Sequence, residues 1–156
     1  MNDIKASIIL AEKVTSSCIE KIIKTLQSGK RNSIWMYLIL KTNLNYNEEI
    51  KIGFDIIKHE ENGRNDKYGF RVGEFILEKT PDENELVDEN EDEIGEDFEA
   101  KRRKSVFRYK DTFTIFKQLP PLPFLDAGNY EFVVYEIQDK KRFILDTFQF
   151  EVIQTR

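Results

Sequence analysis

Residues 119–152, LPPLPFLDAGNYEFVVYEIQDKKRFILDTFQFEV, decide the fold. Pro120, Pro121 and Pro123 lack an amide proton and have a fixed φ, so neither a helix nor a central strand can run through them. They predict a polyproline crossing between two sheets, with Leu122 and Phe124 buried. Asp126-Ala127-Gly128-Asn129 is turn chemistry. Residues 130–138 then place Tyr130, Phe132 and Val134 on one face of a strand and Val133, Tyr135 and Ile137 on the other. Apolar side chains on both faces predict a central strand. Asp139-Lys140-Lys141 turns the chain, and residues 143–152 return as a closing strand.

Upstream, the same alternation recurs. Residues 4–14, IKASIILAEKV, are Ile-rich and predict a strand buried on at least one face. Residues 33–42, SIWMYLILKT, are almost wholly apolar and too short for a typical buried helix, so they predict a central strand with Trp35 as a core anchor. Residues 49–58 put Ile50, Ile52, Phe54 and Ile56 on one face and Glu49, Lys51 and Asp55 on the other, the pattern of an antiparallel sheet with one wet face. Residues 68–77 alternate with a phase shift, and Gly69 and Gly73 predict a bulge or a close backbone approach. Residues 106–119 end in a strand with Phe113, Ile115 and Phe116 inward.

One segment departs from this pattern. Ser17-x-x-Glu20 matches a capping box, Ile19, Ile22, Ile23 and Leu26 recur at helical spacing, and Gly29 stands where a C-terminal cap belongs. These signs predict a short helix near residues 17–28, with Cys18 as a small buried residue on its apolar face. The β-branched Ile22-Ile23 pair leaves a strand open as the alternative. With about seven or eight strands separated by turn signals, the fold expected is a mostly β, antiparallel β-sandwich of one domain, residues 1–156.

The closing residues carry a resemblance. Gly128-Asn129-Tyr130-Glu131-Phe132, a short hairpin turn and Phe148-Gln149-Phe150-Glu151-Val152 resemble bacterial β-sandwich domains of immunoglobulin-like plan. With the opening strand and the Trp35 strand, they look like a family of small, uncharacterised bacterial proteins. The resemblance implies a fold; it brings no catalytic residue.

Charge divides the chain. Residues 82–99 hold eleven acids and no base; without them, 18 acids face 24 bases, a balance of +6 against −5 for the whole. Sparse Leu86, Val87, Ile94 and Phe98 cannot offset the entropy of ordering such a run, so a solvated acidic loop within a charged insertion at 82–104 is expected. One cysteine permits no internal disulfide, and a reducing compartment fits. The acids flanking the first apolar run do not suit a secretory leader, and no run is long enough to span a membrane, so a cytoplasmic location is expected. The richness in Lys, Asn and Ile suggests a bacterial or phage source.

Each candidate chemistry has a bland competitor. Asp88-x-Asn90-x-Asp92 begins like a calcium loop, but Glu93 stands where glycine is needed and no flanking helices are evident. The acids Asp88, Glu89, Glu91, Asp92, Glu93, Glu96 and Asp97 therefore read as solvated loop before metal site. Lys101, Arg102, Arg103 and Lys104, followed by Phe107, Arg108, Tyr109 and Lys110, interleave bases with aromatics as single-strand binders do. A basic flank pairing with the neighbouring acids is the competing reading. His59, the lone histidine, lies in a polar stretch and reads as solvated. No phosphate loop, nucleophile elbow or zinc-protease motif occurs, and no cofactor is expected. The function expected is a non-enzymatic binding or accessory protein acting through an unidentified protein partner, such as a small subunit of a bacterial or phage multi-protein system, with 101–110 the partner-binding candidate. The alternative is a polyanion or nucleic-acid binder using 101–110; third stands a calcium-binding module or a hydrolase.

Overall fold

A computed structural model describes residues 3–14, 18–28, 34–59, 68–79, 106–119 and 126–154. Ten strands account for most of them: β1 (Ile4–Val14), β2 (Ile19–Ile22), β3 (Thr25–Gln27), β4 (Trp35–Thr42), β5 (Glu49–His59), β6 (Tyr68–Glu78), β7 (Val106–Tyr109), β8 (Thr112–Gln118), β9 (Gly128–Gln138) and β10 (Lys141–Ile153). They form two five-stranded sheets, ordered β2-β1-β4-β8-β7 and β3-β10-β9-β5-β6. All pairings are antiparallel except that of β3 with β10.

The strands form where alternation puts apolar residues on one face. Leu38 and Leu40 of β4, Phe113 and Ile115 of β8, Ile52, Phe54 and Ile56 of β5, and Phe132 and Val134 of β9 are all buried in one cluster that joins the two sheets. Phe54 stacks between Phe75 and Phe132, its ring centroid 5.3 and 5.8 Å from theirs. Such pairs add about 0.5–1.5 kcal/mol to the burial of their area. As its two apolar faces require, β9 is a central strand, with β10 and β5 on either side. In β6, Phe54 pairs with Gly73 and Asp55 with Arg71, so Val72 is the extra residue of a bulge beside Gly73. Asp139 (φ 49°) and Lys140 (φ 67°) form a two-residue left-handed turn joining β9 to β10. That turn matches the twist of a hairpin but is costly for side chains other than Gly or Asn. At the start of β9, the Tyr130 hydroxyl donates to the Asp126 carbonyl at 2.7 Å.

The predicted helix near 17–28 is absent. Among the described residues β2 pairs antiparallel with the end of β1, and β3 pairs parallel with the end of β10. The chain switches sheets between them: Ile23 N–H donates to Leu10 O at 2.9 Å, and Glu151 N–H donates to Lys24 O at 3.0 Å. A helix would have buried Ile19, Ile22, Ile23 and Leu26 together. Instead, two unpaired strand edges offer backbone partners and only Ile23 and Leu26 enter the core, while Ile22 is 52% exposed. Without the helix, Cys18 is exposed rather than buried. Trp35 is half-buried and belongs to a separate cluster on the outer face of the first sheet, with Ala11, Val14 and Phe116. The short β2, β3 and β7 bring the strands to ten rather than seven or eight. The proline crossing at 120–125, Ser17, Gly29 and the acidic insertion lie outside the described residues.

A second device ties the two sheets along one side. β2 covers only the end of β1, and β3 only the end of β10. On the uncovered stretch, Asp146 Oδ2 accepts the Ile8 amide at 2.9 Å. Asp146 follows a bulge in β10, where the pairing to β9 skips Leu145. A bulge and a charge turned between the sheets are both features that keep a free strand edge from pairing with other chains.

Candidate binding face

The outer face of the second sheet, away from the core, carries a connected set of polar side chains. Register places them. Gly53 pairs with Tyr135 and Asp55 with Val133 between β5 and β9; Gly53 pairs with Glu74 and Asp55 with Arg71 between β5 and β6. Tyr135 pairs with Ile144 between β9 and β10.

Tyr135 is the centre. Its ring lies flat over Gly53: a Cβ there would stand 2.5 Å from ring carbon Cε2, so only glycine leaves room for it. Its hydroxyl donates to Asp55 Oδ1 at 2.8 Å. Arg142 reaches from β10 across the ring to the same carboxylate, with Nη1 2.7 Å from Asp55 Oδ2 and its guanidinium 4.7 Å from the ring centroid. Tyr135 is thereby only 2% exposed although it sits on the outer face. From β6, Arg71 lies beside the Tyr135 hydroxyl and Glu74, and both raise its pKa. Burial raises the Tyr135 pKa, and the Asp55 carboxylate raises it further. Glu74 holds two bases, Lys51 at 3.2 Å and Arg71 at 3.1 Å.

Around this cluster the face changes character. Ile144 is 67% exposed, next to Arg142 in β10. Farther along, His59 Nε2 lies 2.7 Å from Glu131 Oε2. The expectation of a solvated His59 is therefore corrected: it ends β5 half-buried and paired, because the sheet register sets Glu131 diagonally across from it. Exposed ion pairs contribute little individually, about 0–1 kcal/mol. Here they share partners around a buried ring, an arrangement that fixes side chains in place.

The residues expected to meet a partner fare differently. Lys101, Arg102, Arg103, Lys104 and the acids Asp88, Glu89, Glu91, Asp92, Glu93, Glu96 and Asp97 lie outside the described residues. Arg108 is buried; its Nη1 donates to Lys110 O at 2.9 Å, and its guanidinium lies 6.0 Å from the Tyr46 ring. It holds its own hairpin rather than presenting a charge. Tyr109 is exposed at the hairpin tip, with Lys110 Nζ 5.4 Å from its ring centroid. Phe107 stacks on Phe116 at 5.6 Å. Of the seven basic and aromatic candidates, the structure thus brings Tyr109 and Lys110 together at the surface and turns Arg108 inward. Among the described residues no group of three or more His, Cys, Asp or Glu side chains could hold a metal ion, and no helix is long and apolar enough to cross a membrane.

Sequence reasoning passed over the Tyr135 cluster. One signal for it was present: Gly53 stands on the wet face of β5 between Lys51 and Asp55, and a glycine inside a strand marks a place where something approaches closely. Set against known proteins, the chain matches no family model and no curated relative.

Proposed function

We propose that this chain is a non-enzymatic binding module of immunoglobulin-like plan whose partner, a protein, docks on the outer face of the β10-β9-β5-β6 sheet. The strand order supports the fold reading. With β2 and β3 set aside, β1-β4-β8-β7 opposite β10-β9-β5-β6 follows the order in which immunoglobulin domains arrange their first, second, fifth and fourth strands opposite the rest. The Tyr130 hydroxyl on the Asp126 carbonyl has the form of the tyrosine corner of such domains.

The observation that carries the functional reading is Arg142 laid over Tyr135 with Ile144 exposed beside it. Tyr and Arg dominate the energetics of protein interfaces, and they do so when held rigid and ringed by contacts that exclude water. Arg142 is already ordered by Asp55 and by the ring, so little side-chain entropy is lost when a partner covers it.

The test compares capture from the native host by three forms of the chain. Wild type and Ile22→Glu, altered on the edge of the other sheet, retain the same stoichiometric partner; Ile144→Glu loses it. Both isoleucines are exposed, so both variants keep their thermal stability. Equal retention by all three would refute this face as the docking surface.

A further inference from the structure

At the end of the second sheet, where β9 turns into β10, a cleft of about 420 Å³ opens between the strands. Glu136 forms part of its lining and is out of place by composition. It stands on the core-facing side of β9, paired with Ile52 of β5 and Phe143 of β10, and is 5% exposed. Carboxylates are almost never buried so far without a cationic partner. Glu136 has one amide: Gln138 Nε2 donates to its Oε2 at 2.8 Å. Among the described residues no base lies within salt-bridge reach of it. Lys51, the base on the cleft wall, is held by Glu74. Glu49 adds a second carboxylate to the lining, and Ile50, Ile76 and Ile137 supply apolar wall.

We infer that this cleft binds an alkylammonium group, the chemistry of a lysine side chain. The chemistry of the lining selects that class. A metal ion wants several oxygen or nitrogen ligands, and no such cluster exists among the described residues. An ammonium head needs few acceptors, which Glu136 and Glu49 provide, and its methylene stem packs against isoleucine while the head keeps its polar partners. The cleft shares Lys51 with the proposed docking face, while its acceptors, Glu136 and Glu49, lie outside the Tyr135 cluster. It is therefore tested by small amines with no partner protein present, and its failure leaves the face untouched.

The experiment is a nitrogen-15 amide titration of the full chain with n-pentylammonium, with Nα-acetyl-lysine N-methylamide and with pentan-1-ol as the neutral isostere. Both ammonium compounds should shift amides at 49–51, 76 and 136–138, and pentanol should not. The tighter of the two tells a peptide lysine from a free amine. Glu136→Gln, which keeps the shape and an acceptor for Gln138, should weaken binding by roughly tenfold or more, the scale of a lost charge-assisted hydrogen bond. Glu49→Gln at the rim should weaken it by about threefold, and serves where the buried substitution perturbs folding. Equal shifts with pentanol, or affinities within twofold of wild type in both variants, would overturn the assignment.

Discussion

Gly53→Ala should be unusually damaging for a one-methyl change on the outer face of a sheet, and its damage should disappear when Tyr135 is removed. The added Cβ would stand 2.5 Å from Tyr135 Cε2 and 2.8 Å from its hydroxyl oxygen, closer than any real Cβ contact. The ring cannot lift freely, since Arg142 lies on its other side at 4.7 Å from the centroid. Forcing a methyl into a filled space costs about 1–3 kcal/mol. Displacing the ring also pulls its hydroxyl from Asp55, a bond to a charged acceptor worth about 1 kcal/mol or more net. The sum is about 2–4 kcal/mol, which for a chain of this size lowers Tm by roughly 4–16 °C. In a Tyr135→Ala background the clash is absent. There, Gly53→Ala should stabilise by about 0.5–1 kcal/mol, the ordinary advantage of alanine over glycine within a strand. Urea denaturation of the four proteins measures this cycle, and the sign of the Gly53→Ala effect should reverse between backgrounds. An effect of equal sign and size in both would refute the packing of the ring on the glycine and with it the account of how the cluster is held.

Three further outcomes follow from the geometry. Asp146→Ala removes the acceptor of the Ile8 amide; it should cost about 1–3 kcal/mol, and amide exchange should accelerate at Ile8 more than at its neighbours in β1. Replacing the turn residues, Asp139→Asn with Lys140→Gly, gives the left-handed turn residues that tolerate it, and should raise stability by about 1 kcal/mol in a denaturant melt. The Tyr135 phenol titrates above its ordinary range because burial, then Asp55, disfavours its anion. A raised folded-state pKa means stability present below the unfolded value near 10 and lost as pH climbs through the folded one. Absorbance at alkaline pH should therefore show one tyrosine ionising late, and Tyr135→Phe should abolish that step and flatten the alkaline fall in stability.

The strands were legible because their signal is local. Ile50, Ile52, Phe54 and Ile56 announce β5 within ten residues, and the two apolar faces of residues 130–138 place β9 in the middle of a sheet. The segment at 17–28 was not legible for a definite reason. Ile19, Ile22, Ile23 and Leu26 have helical spacing, but what decides their structure is the open edges of β1 and β10, the latter 126 positions away in the pairing with β3 (151 against 25). The Tyr135 cluster shares that difficulty. Asp55, Arg71, Tyr135 and Arg142 come from four strands, and only register brings them together. Lys110 and Arg108 show the converse: they lie two apart in a basic stretch, yet Arg108 belongs to β7 and turns into the hairpin, while Lys110 stands in the left-handed turn beyond it (φ 54°) and reaches solvent.

Hydrogen exchange on the chain, alone and with its captured partner, tests the docking face most directly. The account predicts slowed exchange within 131–137 of β9 and 142–147 of β10, with no change along β7 and β8 at 106–118. Protection confined to the β1-β4-β8-β7 sheet, with β9 and β10 unaltered, would contradict it.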